Sequence, residues 1–96
     1  MIIVDERPPV GGASGRTFGQ IRQHYSNELM IRMAIRGFEV LNNWPAGVGF
    51  GDPGYVRLGY MLIVESEQVE ACRRNIELGR GLGVDTRFAV PDELKE

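Results

Sequence analysis

The chain has 96 residues, of which 43% are hydrophobic and 25% charged, and its formal net charge is −2 at neutral pH. A chain of this length forms one domain at most and buries only about 60–65% of the surface that it exposes when unfolded, so a deep enclosed active site is hard to build from it alone. The composition is typical of a folded soluble protein, and the slightly acidic charge argues against nucleic-acid binding and against a polybasic membrane segment.

Cysteine and histidine each occur once, as Cys72 and His24. A single cysteine cannot form an internal disulfide, so the fold does not depend on an oxidising compartment, and the cytoplasm is the default location. One histidine and one cysteine also argue against a zinc site of the usual kind. No apolar run approaches the roughly 20 residues of a membrane span, and the opening "MIIV" is too short for a signal peptide.

The first stretch, Met1–Val4, is apolar and rich in β-formers, which predicts a short buried strand ending at Asp5. Nucleotide-binding sheets place at such a strand end the acid that accepts hydrogen bonds from ribose hydroxyls. No first strand with a G-x-G-x-x-G turn stands about 20 residues ahead of Asp5, as it does in those sheets, so a solvated charge at a strand end is the alternative interpretation of Asp5.

A glycine-rich loop, "GGASGRTFG", follows from Gly11 to Gly19. Its small residues, exposed backbone N–H groups and Ser14 would allow a phosphate or a ring edge to approach closely, although an ordinary surface loop is the alternative. Behind it come Arg22, His24 and Tyr25. Arg22 could bind a carboxylate bidentately and either neighbour could donate a hydrogen bond or move a proton, whereas a structural role is the alternative for the histidine.

The next segment has apolar residues at helical spacing and predicts a helix over Asn27–Asn43, with Ser26 as its N-cap and Pro45 beyond its end. Its apolar residues form two strips, so the helix is expected to be covered on two sides. Four residues on the apolar faces of the two predicted helices are assigned to the core, with no cofactor or redox role: Met30, Met33, Trp44 and Cys72.

The rest of the chain predicts a strand over Tyr55–Val64, interrupted by Gly59, or a hairpin with two short arms. A second helix is predicted over Ser66–Leu82 with a left-handed C-cap at Gly83, then a strand over Val84–Val90 and a helix opening at Pro91. The predicted fold class is therefore α+β: two amphipathic helices packed on a small, mostly antiparallel sheet, with the N-terminal strand unpaired. Bare strand edges and exposed apolar strips predict a homo-oligomer or a complex with a companion polypeptide.

The order of these features resembles the FAD-dependent oxidoreductases of the D-amino-acid oxidase type, in the branch with sarcosine oxidase β subunits and dimethylglycine dehydrogenase. The resemblance extends over nearly all of the chain, and the stretches that carry it occur in the family's order: "IIVDERPPVGGASG", "GQIRQHYS", "GYMLIVES", "NIELGRGLGVDTRF" and "VPDEL".

The resemblance implies FAD as cofactor and a small amine or amino acid as substrate. It implies that Asp5 binds ribose, that Ala13, Ser14 and Gly15 line the pyrophosphate and ribityl chain, and that the stretch from Gly19 through Ile21 to Arg22 runs beneath the flavin ring. Arg22 would also hold the substrate carboxylate, with His24 and Tyr25 supporting it; these three are the candidate catalytic residues.

The resemblance divides the chain into a remnant of the FAD-binding region, residues 1–25, and a partial substrate-binding region, residues 26–96. The family's first strand and G-x-G-x-x-G turn have no counterpart here, Gly19 stands where some relatives have a basic residue, and Cys72 matches no flavin-attachment cysteine. We therefore expect a fragment or subunit of a sarcosine-oxidase-like enzyme that is inactive as this chain alone. The alternative is a non-catalytic α+β interaction module or a degenerate oxidoreductase remnant.

Overall fold

The computed structural model describes residue 2 and residues 4–94. The α-helices are α1, Glu28–Asn42, the single turn α2, Trp44–Gly47, and α3, Val69–Gly81. Short 3₁₀ turns occupy Ala13–Arg16, Ser66–Gln68 and Pro91–Leu94. Both long predicted helices are confirmed, since α1 lies within the first predicted range and the turn at Ser66–Gln68 leads directly into α3.

The predicted α+β fold is wrong, because the described residues contain helices and turns but no β-strand and hence no sheet. The segments Tyr55–Val64 and Val84–Val90 were predicted as strands on composition, and neither pairs with another segment as strand or hairpin. A strand forms only where a second backbone segment exchanges hydrogen bonds with it, and local β propensity cannot supply that second segment. The predicted strand Met1–Val4 includes Met1 and Ile3, which lie outside the described residues; Ile2 and Val4 are exposed and not in a strand.

The start of α1 lies one residue later than the predicted N-cap. Asn27, and not Ser26, is the N-cap, because its Oδ1 accepts a hydrogen bond of 3.3 Å from the backbone N–H of Met30. Glu28 then lies in the first turn, where its charge suits the helix dipole, and it also pairs with Arg32 at 2.7 Å one turn later.

Helices α1 and α3 pack against each other and form the small core of the described residues. Ile31 on α1 is fully buried, and the buried residues of α3 and the segment after it are Cys72, Ile76, Gly79 and Val84. The prediction that Cys72 is a core residue is confirmed, and Trp44 is half-buried with its Nε1 donating to the carbonyl of Phe50 at 2.9 Å.

The same prediction is wrong for the two methionines of α1. Met30 is 44% and Met33 61% exposed. Ile31, Ile35 and Phe38 are buried or half-buried, whereas the two methionines face solvent. A helix touches a single neighbour through one stripe, so residues at the edge of its apolar face stay uncovered.

The end of α3 follows the predicted left-handed cap. Gly83 has a φ of +91°, and the backbone N–H of Val84 donates to the carbonyl of Gly79 at 2.9 Å. This turn folds the chain back so that the side chain of Val84 lies over Gly79, where an added Cβ would meet Val84 Cβ at 3.6 Å.

The structure is less compact than a typical folded chain of this length. Its radius of gyration is 17.0 Å, whereas a compact chain of this length has about 12–13 Å. Its accessible surface is 8540 Å², whereas a compact monomer of this size exposes about 5,500 Å². Much of the excess is apolar side chain that a single small core does not cover.

The segment 55–64 contributes to this uncovered surface. It belongs to no helix or strand, and Leu58 and Ile63 are 88% and 87% exposed. Within the part of the chain that the structure describes, no helix is long and apolar enough to cross a membrane.

Candidate functional site

One cleft of the described residues, called the arginine cleft here, has a volume of about 960 Å³ and is open to solvent. It lies between the stretch after the glycine-rich loop and the extended segment that follows α2. Its walls are formed by residues 18–24, 53–60 and 84–86, together with Phe38, Leu41, Asn75 and Gly79.

Within this cleft, the guanidinium of Arg22 is held by contacts with two tyrosine side chains. Its Nη1 donates a hydrogen bond of 3.3 Å to the hydroxyl of Tyr60, and its guanidinium carbon lies 5.2 Å from the ring centroid of Tyr25 and 5.9 Å from that of Tyr60. The interaction with Tyr60, and to a smaller extent that with Tyr25, raises the pKa of Arg22, and an arginine is charged at every relevant pH. Among the described residues, no carboxylate forms an ion pair with it.

His24 lies two residues further on, half-buried in the wall of the same cleft. Burial, and then the positive charge of Arg22, lower its pKa from the ordinary histidine value. The imidazole is therefore neutral at pH 7 and presents one N–H donor and one nitrogen acceptor.

A local turn at Gly19 directs the backbone that leads to Arg22. The backbone N–H of Gly19 donates to Thr17 Oγ1 at 3.2 Å, and Gly19 has a φ of +67°, a conformation that costs glycine little. The turn redirects the chain from the 3₁₀ turn into the extended stretch that carries Ile21 and Arg22. Both residues line the arginine cleft, and Ile21 is 44% exposed there.

A second cleft, called the Asp5 cleft here, has a volume of about 830 Å³ and is lined by residues 5–12 and Ser14. Asp5 Oδ1 accepts a hydrogen bond of 2.9 Å from the backbone N–H of Arg7. This bond fixes the carboxylate, and Oδ2 remains available to a hydroxyl donor. An acid and a set of small residues thus share one concave surface.

The wall of the Asp5 cleft is a tight backbone arrangement. The N–H of Gly11 donates to the carbonyl of Pro8 at 3.0 Å, and Val10 has a φ of +60°, as the third residue of a type II turn requires. A β-branched residue is strained in this conformation. The carbonyl of Val10 lies so close to Gly15 that a Cβ added to Gly15 would overlap its oxygen, so the turn and the following 3₁₀ turn fit together only with glycine there.

The structure divides the predicted site residues between the two clefts. The arginine cleft is lined by Gly19, Ile21, Arg22 and His24. Tyr25 does not line this cleft, but its ring lies against the guanidinium of Arg22. Asp5 and Ser14 line the other cleft, whereas Ala13 and Gly15 lie in the adjoining 3₁₀ turn and are not among its lining residues.

Tyr60 was missed by the sequence reasoning. It is 38 residues from Arg22 in the chain, and the only local signal was its place in the "GYMLIVES" stretch. Arg57 and Asp85 line the same cleft and were also not predicted. The described residues contain no group of three or more histidine, cysteine, aspartate or glutamate side chains that could hold a metal ion.

Comparison with known proteins yields one match. The family model described as "FAD dependent oxidoreductase" matches the chain over residues 1–96. No curated protein and no solved structure matches the chain significantly.

Proposed function

The chain belongs to the family of FAD-dependent oxidoreductases, and from this membership we propose that it supplies parts of the FAD site and of the substrate site of an amine or amino-acid oxidoreductase of the sarcosine oxidase type. Residues 1–25 are assigned to the FAD-binding region and residues 26–96 to part of the substrate-binding region. The observation that carries the proposal is the placement of Arg22, charged and without a carboxylate partner among the described residues, in the wall of an open cleft.

The residues of the Asp5 cleft fit the nucleotide part of FAD. The fixed Asp5 carboxylate can accept hydrogen bonds from ribose hydroxyls, and an added Cβ on Gly12 would meet nothing within 4 Å, so the backbone there is open to close approach. Ser14 adds a hydroxyl donor to the same concave surface. We assign Asp5, Ala13, Ser14 and Gly15 to this part of the cofactor, and Gly19, Ile21 and Arg22 to the edge of its flavin ring.

When bound, FAD would supply the redox chemistry by accepting a hydride equivalent from the C–N bond of a secondary or N-methylated amino acid. The chain's own residues orient the substrate. Arg22 holds the substrate carboxylate through charge-assisted hydrogen bonds, and the neutral His24 donates or accepts one further bond beside it. Tyr25 covers one face of the guanidinium.

We further propose that the chain is inactive alone and works with a second polypeptide surface, in a homo-oligomer or with a companion chain. The support is the open structure, whose accessible surface of 8540 Å² exceeds that of a compact monomer by about 3,000 Å². Obligate interfaces bury about 2,000–5,000 Å² in total, so the excess suits a permanent partner.

Association should be visible directly. We expect sedimentation velocity to show a concentration-dependent species larger than a monomer, because the exposed apolar segment 55–64 offers an unpaired edge. Ile63→Asp should shift this equilibrium towards monomer, whereas Ser66→Asp, the same charge three residues away, should not. A monodisperse wild-type monomer, in the presence of any polypeptide encoded beside it, would contradict the proposed assembly.

The proposed function is tested by two titrations of the full chain, alone and with a companion polypeptide. Flavin fluorescence reports FAD binding, and NMR shifts of the arginine cleft report binding of N-methylglycine. Arg22→Ala should weaken N-methylglycine binding about tenfold or more, since a hydrogen-bonded ion pair is lost. Arg36→Ala removes an equally exposed arginine that pairs with Glu39 on α1, and it should change neither titration.

The outcomes separate the two candidate functions. FAD binding together with Arg22-dependent N-methylglycine binding supports the oxidoreductase site. Binding of neither, alone or with the companion polypeptide, would instead favour a non-catalytic interaction module or a degenerate remnant of an oxidoreductase.

A further inference from the structure

We propose that Tyr60 is a positioning residue for Arg22, and that the pair Tyr25 and Tyr60 forms an aromatic clamp that holds the guanidinium for one small carboxylate. The inference rests on the proposed function of Arg22. It adds Tyr60, which lies in a different wall of the arginine cleft from Arg22. It also gives a physical reason for the carboxylate to bind in one orientation.

The two tyrosines contact Arg22 in different ways. Tyr25 lies three residues away in the chain and offers its ring at 5.2 Å from the guanidinium carbon. Tyr60 offers its ring at 5.9 Å and also accepts a hydrogen bond of 3.3 Å from Nη1. Two aromatic faces and one hydroxyl therefore restrict a side chain that is otherwise solvent-exposed.

The clamp acts on an arginine whose charge is not neutralised by an ion pair. Phenol groups attract a guanidinium through the ring quadrupole and the hydroxyl oxygen without cancelling its charge. A carboxylate in the same position would cancel it and occupy the donors. Since Tyr60 accepts only from Nη1, donors on the rest of the guanidinium fork remain available for bidentate binding of an incoming carboxylate.

Tyr60 also connects two walls of the arginine cleft. It belongs to the stretch 53–60 and Arg22 to the stretch 18–24, so this hydrogen bond joins segments that lack backbone pairing. Holding a side chain with many rotamers before the substrate arrives reduces the entropy lost on binding. Tyr60 should therefore change carboxylate affinity without contacting the substrate's amine.

The test compares two tyrosine variants of the full chain in the same NMR titration, with N-methylglycine and acetate as carboxylate probes and methylamine as the probe without a carboxylate. Tyr60→Phe keeps the ring and removes the hydroxyl, and we expect both carboxylate probes to bind about three- to tenfold more weakly. Tyr55→Phe is the matched control, because Tyr55 lines the same cleft but packs edge-on against Phe38, with ring centroids 5.8 Å apart. It should leave the affinities unchanged.

Two readouts separate positioning from a general structural effect. Methylamine binding and the thermal unfolding transition should be the same in Tyr60→Phe and wild type, and the Nε–H resonance of Arg22 should broaden or shift only in Tyr60→Phe. Equal losses for all three probes, or for both tyrosine variants, would overturn the clamp.

The clamp and the proposed function can fail separately. If Arg22→Ala abolishes carboxylate binding and Tyr60→Phe has no effect, the clamp is wrong and the role of Arg22 stands. If Arg22→Ala has no effect, the substrate site itself is wrong and the clamp has no function to support.

Discussion

Gly15→Ala is expected to disrupt the loop that joins Asp5 to the 3₁₀ turn, and with it FAD binding. The added Cβ would overlap the carbonyl oxygen of Val10, and this atom belongs to the backbone, so no side-chain rotation relieves the overlap. The turn at Val10 must move instead. We expect FAD affinity to fall at least tenfold, as about 1.4 kcal/mol of lost interaction requires.

The matched control for this variant is Gly12→Ala, three residues earlier. Gly12 has a φ of −98°, and an added Cβ meets nothing within 4 Å. Amide shifts and hydrogen exchange of residues 10–16 should change in Gly15→Ala and not in Gly12→Ala, which gives a readout that does not depend on FAD. Equal amide shifts and equal hydrogen exchange of residues 10–16 in the two variants would show that the Val10 carbonyl does not pack on Gly15.

Ile31→Ala is expected to have the largest effect on stability. Ile31 is fully buried between α1 and α3, and truncation of such a side chain costs about 2–5 kcal/mol through lost burial and the cavity left behind. The core has few other members, namely Cys72, Ile76 and Val84 among the described hydrophobic residues. A domain with so small a core has little stability to lose, so the cooperative unfolding transition should disappear or move to much lower urea concentration.

Met33→Ala is the matched control on the same helix. Met33 is 61% exposed, so its truncation should change the free energy of unfolding by no more than about 0.5 kcal/mol. Urea titrations followed by circular dichroism at 222 nm compare the variants. A loss in Met33→Ala as large as that in Ile31→Ala would mean that the methionine strip is covered in solution by a second chain.

The helices were predictable because their signals are local. An acid in the first turn and apolar residues three and four apart predict both α1 and α3, and α1 also has a side-chain cap. The left-handed Gly83 after α3 was predictable for the same reason.

The candidate site was partly predictable for the same reason. Arg22, His24 and Tyr25 lie within four residues, so their proximity follows from the sequence alone. Tyr60 could not be found in this way, because its distance from Arg22 depends on how two segments far apart in the chain are arranged. The strain at Val10 and the close approach of its carbonyl to Gly15 likewise arise only from the folded backbone.

The sequence by itself determined that α1 and α3 are helical, that Gly83 ends α3, and the resemblance to FAD-dependent oxidoreductases that the match over residues 1–96 confirms. Tertiary structure alone decided that Tyr55–Val64 and Val84–Val90 form no strand, which apolar residues of α1 are covered, and that Arg22 meets Tyr60. Helices satisfy their hydrogen bonds within one segment, whereas strands, cores and clefts need a second segment at a particular distance, and no local pattern specifies that distance.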